Sequence, residues 1–210
     1  MPRPRSLTPA QLASAALHVI DHDGLAGLSM RAVAQQIGMS TMALYRYVND
    51  RDELERLVVD LVFGAVDTTP PAADRPWHQR IEIMADRVRD TVGAHPGIVP
   101  LIIAHRHRST HLLGWSETVT GILAEGGLDG RDRVIALRSL SAYVIGAIQL
   151  EHLGPLGGPG TQVMAELPPT EFPYLTETAT HARTVTADEE FHGGLANLLR
   201  GMTAETGRPA

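Results

Sequence analysis

The 210-residue sequence contains no cysteine. A disulfide framework and thiolate chemistry are therefore excluded. It contains no lysine either, so all 18 basic residues are arginine. No stretch reaches about 18 consecutive apolar residues, and the opening MPRPRSLTPA lacks a signal-peptide pattern. The expectation is a cytoplasmic protein with no membrane partner. Period-two alternation of β-branched residues is absent, and helical patterns account for most of the chain, so the fold class expected is all-α. The sequence offers no HExxH, no GxSxG and no phosphate-cradling glycine loop. No catalytic residue is assigned, and the chain is not expected to be an enzyme.

Hydrophobic residues make up 43 % of the chain, enough for a sizeable core. The net charge of −6 argues against a protein that coats nucleic acid along its whole surface. The charge is unevenly placed. Residues 1–49 carry four arginines against Asp21 and Asp23, whereas residues 50–210 carry 14 arginines against 22 acidic residues. A small basic head on an acidic body fits a specific DNA binder. Arg3 and Arg5 form a candidate arm for phosphate or the minor groove.

The stretch that organises the chain is Ser29 to Asn49, SMRAVAQQIGMSTMALYRYVN. Ser29 is an N-cap, Met30–Ile37 is a run of good helix formers, and Gly38 stops it. Ser40 caps a second helix, expected over Thr41–Val48. Val33, Ile37, Met39, Leu44 and Val48 fall inward, with Ala34 where the helices cross. Thr41, Met42, Tyr45 and Arg46 fall outward. This is the spacing of a helix-turn-helix, whose second helix reads the DNA major groove.

Thr8-Pro9 starts a supporting helix with Leu12, Ala15, Ala16, Val19 and Ile20 as its stripe, ended by Gly24. Asp50 and Glu53 form an aspartate version of the capping box before a helix carrying Leu54, Leu57, Val58, Leu61 and Val62. Arg51 at that N-terminus is a candidate phosphate contact.

Residues 8–66 resemble the DNA-binding domain of the tetracycline repressor (TetR) family of transcription regulators. The carriers are Gly27-Leu28-Ser29-Met30-Arg31, Ala34, Gly38-Met39-Ser40, Ala43-Leu44-Tyr45-Arg46-Tyr47-Val48 and Arg51. The resemblance implies that Arg31, Thr41, Met42, Tyr45, Tyr47 and Arg51 contact DNA. With Ser40 and Arg46 they make up the candidate DNA-binding set. Met42 departs from the small or polar residue frequent at that place, so base preference is not carried over.

The chain divides into residues 1–66, the head, and residues 67–210, the body. Asp67–Asp74 (DTTPPAAD) is the expected hinge. Helices are expected over Trp77–Val92, Ile98–His105, Thr110–Leu123, about 132–152, Phe172–His181 and Asp188–Met202. Gly154–Pro169 reads as loop, and Thr203–Ala210 as a frayed end. The longest helix has Val134, Leu137, Leu140, Ser141, Val144 and Ile148 on one stripe and further apolar residues beyond it, so it serves both a core and a partner.

From His95 through Met202 the pattern resembles the C-terminal domain of the tetracycline repressor subclass, through His95-Pro96-Gly97, Ala142-Tyr143-Val144-Ile145-Gly146 and Phe191-His192-Gly193-Gly194-Leu195. That resemblance implies a homodimer built from the helices near 132–152 and 188–202. The candidate interface is Leu140, Val144, Ile148, Phe191, Leu195, Leu198, Leu199 and Met202. It also implies a small-molecule pocket. Met84, Ile103, His105, His111, Trp115 and Tyr143, which fall inward by helical spacing, are its candidate lining. No metal site and no resident cofactor are assigned; a divalent metal brought by the effector is the one alternative left open.

The reading is a repressor that holds a palindromic DNA operator as a dimer and is released by a small-molecule effector. One alternative is a metal-dependent enzyme using His105, His107 and His111, since a helical pair such as 107 and 111 can chelate. Another is a helical dimer that binds DNA constitutively.

Overall fold

The computed structural model describes residues 7–205. Arg3, Arg5 and residues 206–210 lie outside them. Among the described residues the chain forms eleven α-helices and one 3-10 turn, and no strand.

Helix α1 (Pro9–Gly27) opens with a reciprocal capping box: Gln11 N donates to Thr8 Oγ1 at 3.2 Å and Thr8 N donates to Gln11 Oε1 at 3.0 Å. Gly24 has φ 71° and kinks the helix, and one further turn follows before Leu28. Helix α2 (Met30–Ile37) is capped by Ser29, whose Oγ accepts from Ala32 N. It ends at Gly38 with φ 79°, a left-handed conformation that glycine adopts without cost to a Cβ. Helix α3 (Thr41–Leu44) and helix α4 (Arg51–Phe63) complete the head. α1 packs on both α2 and α4, the role of a strut.

Helix α5 (Trp77–Gly93) precedes the 3-10 turn Pro96–Ile98, and α6 (Val99–His105) and α7 (Thr110–Glu125) come next. Helices α8 (Gly130–Leu153), α9 (Pro159–Ala165), α10 (Pro173–Ala182) and α11 (Ala187–Glu205) follow. The chain forms two compact units. One runs to Pro70 and takes in Asp86–Val119; the other is Pro71–Ala85 with the chain from Thr120 onward.

In the first unit α4 packs against α6, and the 3-10 turn packs on α1. Gly97 makes that approach possible, since a Cβ there would lie 2.9 Å from Ile20 Cγ2. The expected hinge is tied down at its start. Arg87 reaches Asp67 Oδ2 at 2.9 Å and donates to the carbonyls of Asp67 (3.0 Å) and Thr69 (2.6 Å). Thr118 Oγ1 donates to Thr68 O at 3.0 Å.

In the second unit α8 packs on α11 and α9 on α10. Tyr143 Oη donates to Phe191 O at 2.7 Å, bridging the first pair. Gly194 leaves room for that ring: a Cβ would lie 2.9 Å from Tyr143 Cε2. Arg80, buried, pairs with Glu125. α8 is also the one helix among the described residues long and apolar enough to cross a bilayer.

Four expectations are corrected. The segment Gly154–Pro169 is not all loop: α9 forms inside it, started by Pro159 after Gly158. Thr203–Glu205 belong to α11 rather than to a frayed end. Val134 is 68 % exposed, because the buried stripe of α8 is Ala136, Leu140, Val144 and Ile148. The recognition helix stops at Leu44 rather than Val48. Arg46 N donates to Ala43 O and Tyr47 N to Leu44 O, three-residue bonds that tighten the chain after one α-helical turn.

Candidate nucleic-acid interface

Leu44 and Val48 are buried and fasten the second helix of the motif to the head. Ser40 Oγ accepts from Ala43 N at 3.2 Å and caps that helix. With these residues fixed, the outer side carries Met42, 78 % exposed, together with Tyr45, Arg46 and Tyr47. Thr41 is half-buried, and Arg31 on α2 is exposed. An apolar tip, two phenols and two guanidinium groups are thus exposed on the helix-turn-helix. Such groups read thymine methyls, base edges and phosphates.

The charge behind this surface is ordered. Asp50 Oδ1 accepts from Glu53 N at 2.8 Å and caps α4, while Glu53 Oε2 accepts from Asn49 N at 2.8 Å. The capping box is therefore displaced by one residue from the expected Asp50–Glu53 reciprocity. Asp52 pairs with Arg108 at 2.9 Å. Arg51 Nε donates to Glu55 Oε1 at 2.7 Å, and Glu55 Oε2 meets His105 Nε2 at 3.2 Å. Arg31 and Arg46 have no ion-pair partner among the described residues, so they are open to phosphate.

Glu55 was missed by the sequence reading. Its pairing with Arg51 follows from i,i+4 spacing on one helix. Its contact with His105 joins residues 50 positions apart and has no local signature.

The six candidate pocket residues do not form one set. Met84, His105 and Trp115 are buried, and Tyr143 is half-buried with its hydroxyl engaged by Phe191. Ile103 and His111 are exposed, against the expectation that they face inward. In the short α6 the buried side is Val99, Leu101, Ile102 and His105, and in α7 it is Leu112, Trp115 and Val119. Met84 and Tyr143 belong to a different compact unit from the other four.

His107 and His111 do not share a helix, since the turn after His105 separates α6 from α7. No group of three His, Cys, Asp or Glu side chains with metal-binding geometry occurs among the described residues. The donors that the enzyme alternative needs are not gathered.

The candidate interface residues Leu140, Val144, Ile148, Phe191, Leu195, Leu199 and Met202 are buried within the protomer, and Leu198 alone is partly open. They join α8 to α11 of the same chain. The open apolar surface lies beside them. A groove between α8 and α11 is lined by Leu128, Ile135, Ala136, Ser139, Leu198, Gly201 and Met202, with the Asp132 carboxylate at its edge and Val134 exposed nearby.

Residues 12–56 match the family model described as "Bacterial regulatory proteins, tetR family", and residues 69–206 match "Tetracyclin repressor-like, C-terminal domain". The chain belongs to the TetR family. The HTH-type transcriptional repressor DrrR1 of Streptomyces coeruleorubidus is 33 % identical over 151 residues, covering 70 % of this chain and 54 % of DrrR1. The chain thus matches about half the length of that relative. The tetracycline repressor protein class D of Escherichia coli is 28 % identical over 91 % of this chain and 87 % of its own length. The crystal structure of the TetR family protein ActR of Streptomyces coelicolor in complex with actinorhodin superimposes with a TM-score of 0.82. It shares 28 % identity, with 99 % of this chain and 100 % of ActR covered. Membership in the TetR family accounts for the helix-turn-helix surface and for the second, larger all-α part of the chain.

Proposed function

We propose that this TetR-family chain is a transcriptional repressor that holds a palindromic operator as a homodimer and releases it when a small molecule binds the body. The observation that carries the reading is the outward set Met42, Tyr45, Arg46 and Tyr47 above the buried Leu44 and Val48. Met42, held in solvent on a capped helical turn, adds nothing to the protomer's core, and the two tyrosines beside it are partly exposed. They are suited to base edges.

The homodimer is proposed to form across the groove between α8 and α11, with Val134 and Ile135 entering the interface. Two heads are then presented about 34–36 Å apart, one DNA turn. The effector is proposed to be a largely apolar small molecule, sensed on the α6 side of the chain, where His105 and Ser109 are buried polar groups. The ligand-bound state of the neighbour ActR supports a responsive body. No resident metal enters this scheme, because His105, His107 and His111 lie on separate elements and His105 Nε2 is engaged by Glu55. The protein would act in the cytoplasm, where its DNA is.

A gel-shift titration with a palindromic fragment from beside its own gene tests the reading. A sequence-specific shift at moderate salt is expected; equal binding to scrambled duplex overturns it. A thermal-shift screen of small molecules, followed by the same titration with each hit, identifies the effector.

A further inference from the structure

Glu55 stands one helical turn after Arg51 on α4 and touches two different elements. Its Oε1 accepts from Arg51 Nε at 2.7 Å, and its Oε2 faces His105 Nε2 at 3.2 Å. The Glu55 side chain is only 16 % exposed and the His105 side chain 4 %. An ionised carboxylate only accepts, so Nε2 carries the hydrogen. Arg51 is half exposed and gives Glu55 its Nε alone, so both Nη groups remain for a phosphate oxygen.

We propose that Glu55 is a positioning residue that sets how much of Arg51 is offered to DNA, and that His105 governs it from α6. This rests on the reading of the chain as a DNA-binding regulator and adds a route of regulation to it. While His105 holds Oε2, the carboxylate grips Arg51 by one oxygen. When His105 is drawn away, Oε2 loses its donor. The carboxylate then turns to a two-oxygen grip on the guanidinium, the strongest geometry open to this pair. That grip takes up an Nη group that would otherwise be free for a phosphate oxygen. The Asp52–Arg108 pair runs parallel to this link at 2.9 Å, but both of its partners are more than half exposed and screened by solvent. The buried link through Glu55 carries the signal.

The test needs no effector. Full-length protein is used with the duplex that the wild type enriches from a random-sequence pool. His105→Ala is expected to weaken binding about 10-fold, within the usual range of coupling between sites. The log–log salt slope should fall by about 0.9, the share of one phosphate. His105→Met fills the buried space without a donor and carries the same expectation should the alanine variant fail to fold. His105→Gln keeps an N–H for Glu55 and should bind as the wild type does. Adding Glu55→Gln to His105→Ala removes the competing carboxylate and should restore both affinity and slope. In an Arg51→Ala background, His105→Ala should have no further effect.

Wild-type affinity in both His105→Ala and His105→Met overturns the proposal. So does failure of Glu55→Gln to restore binding, or a His105 effect that persists without Arg51. If the wild type enriches no duplex at all, the DNA-binding reading falls first. If it does and the double-mutant cycle is additive, this inference alone is lost.

Discussion

Met42 and Leu44 are two positions apart and have opposite environments, 78 % and 0 % exposed. Removing the Met42 side chain should change stability by less than about 0.5 kcal/mol, as for other exposed positions. Operator affinity and base selectivity should nevertheless fall in a fluorescence-anisotropy titration. Leu44→Ala should cost about 2–5 kcal/mol in urea denaturation, because it opens a cavity under the recognition turn. It should lose DNA binding by loosening the head, not by removing a contact. Met42, Tyr45 and Arg46 were legible as outward because helical periodicity and the Ser40 cap jointly fix which side chains point away, whereas Tyr47 came from the family resemblance and Thr41, expected outward, is half-buried. The inward pocket was less legible. Ile103 follows two buried residues, Leu101 and Ile102, and periodicity over seven residues does not fix where a buried face ends. The Glu55–His105 contact was illegible because tertiary packing alone brings α6 to α4.

Elements show what intrinsic preference decides and what packing decides. Caps placed the four helix starts of the head: Thr8, Ser29, Ser40 and Asp50 all accept from the expected backbone groups. Helix ends were harder, because tight three-residue bonds after Leu44 and a short helix after Pro159 depend on local competition between similar geometries. Gly194 ties an element to its neighbour. Gly194→Ala should drive the Tyr143 ring out of its seat, break its bond to Phe191 O and lower the melting temperature, whereas Tyr143→Phe should lose the bond but keep the packing and melt closer to wild type.

Two carboxylates make element junctions sensitive to acid. Hydrogen bonds from the Thr69 backbone and hydroxyl hold Asp67 below its usual pKa, with Arg87 adding to this. Hydrogen bonds from Thr186, at the start of α11, do the same for Glu189. A lowered folded-state pKa contributes stability that is complete above the unfolded value and is lost as pH falls through the folded one. Melting temperature should therefore drop below about pH 4, where free carboxylates protonate. The drop should be shallower in the Asp67→Asn, Glu189→Gln double variant when both are followed by circular dichroism.

For the whole molecule, the question is how a chain with an apolar helix as long as α8 avoids exposing it. One stripe, Ala136, Leu140, Val144 and Ile148, is buried against the chain's own partners, while Val134, Ile135, Leu150 and Leu153 remain exposed. The sequence showed an excess of apolar faces on this helix but not which face serves which partner, since a stripe has no label for its own chain or another. The structure assigns the inner stripe to the protomer. Under the dimer proposal, the outer one and the groove along Leu198 fall to a second copy. Ile135→Arg should then leave the protomer folded, because the side chain already borders solvent, yet convert a dimer to a monomer in sedimentation. Leu140→Ala should instead destabilise the protomer, by about 2–5 kcal/mol. The monomeric Ile135→Arg protein should still recognise a half-site through its intact head. It should lose most of its affinity for the palindrome, because two half-sites held by one rigid dimer gain an effective concentration that independent protomers lack. If Ile135→Arg sediments as the wild type does and binds the palindrome equally well, the second copy sits elsewhere, and the exposed face of α8 needs a different occupant.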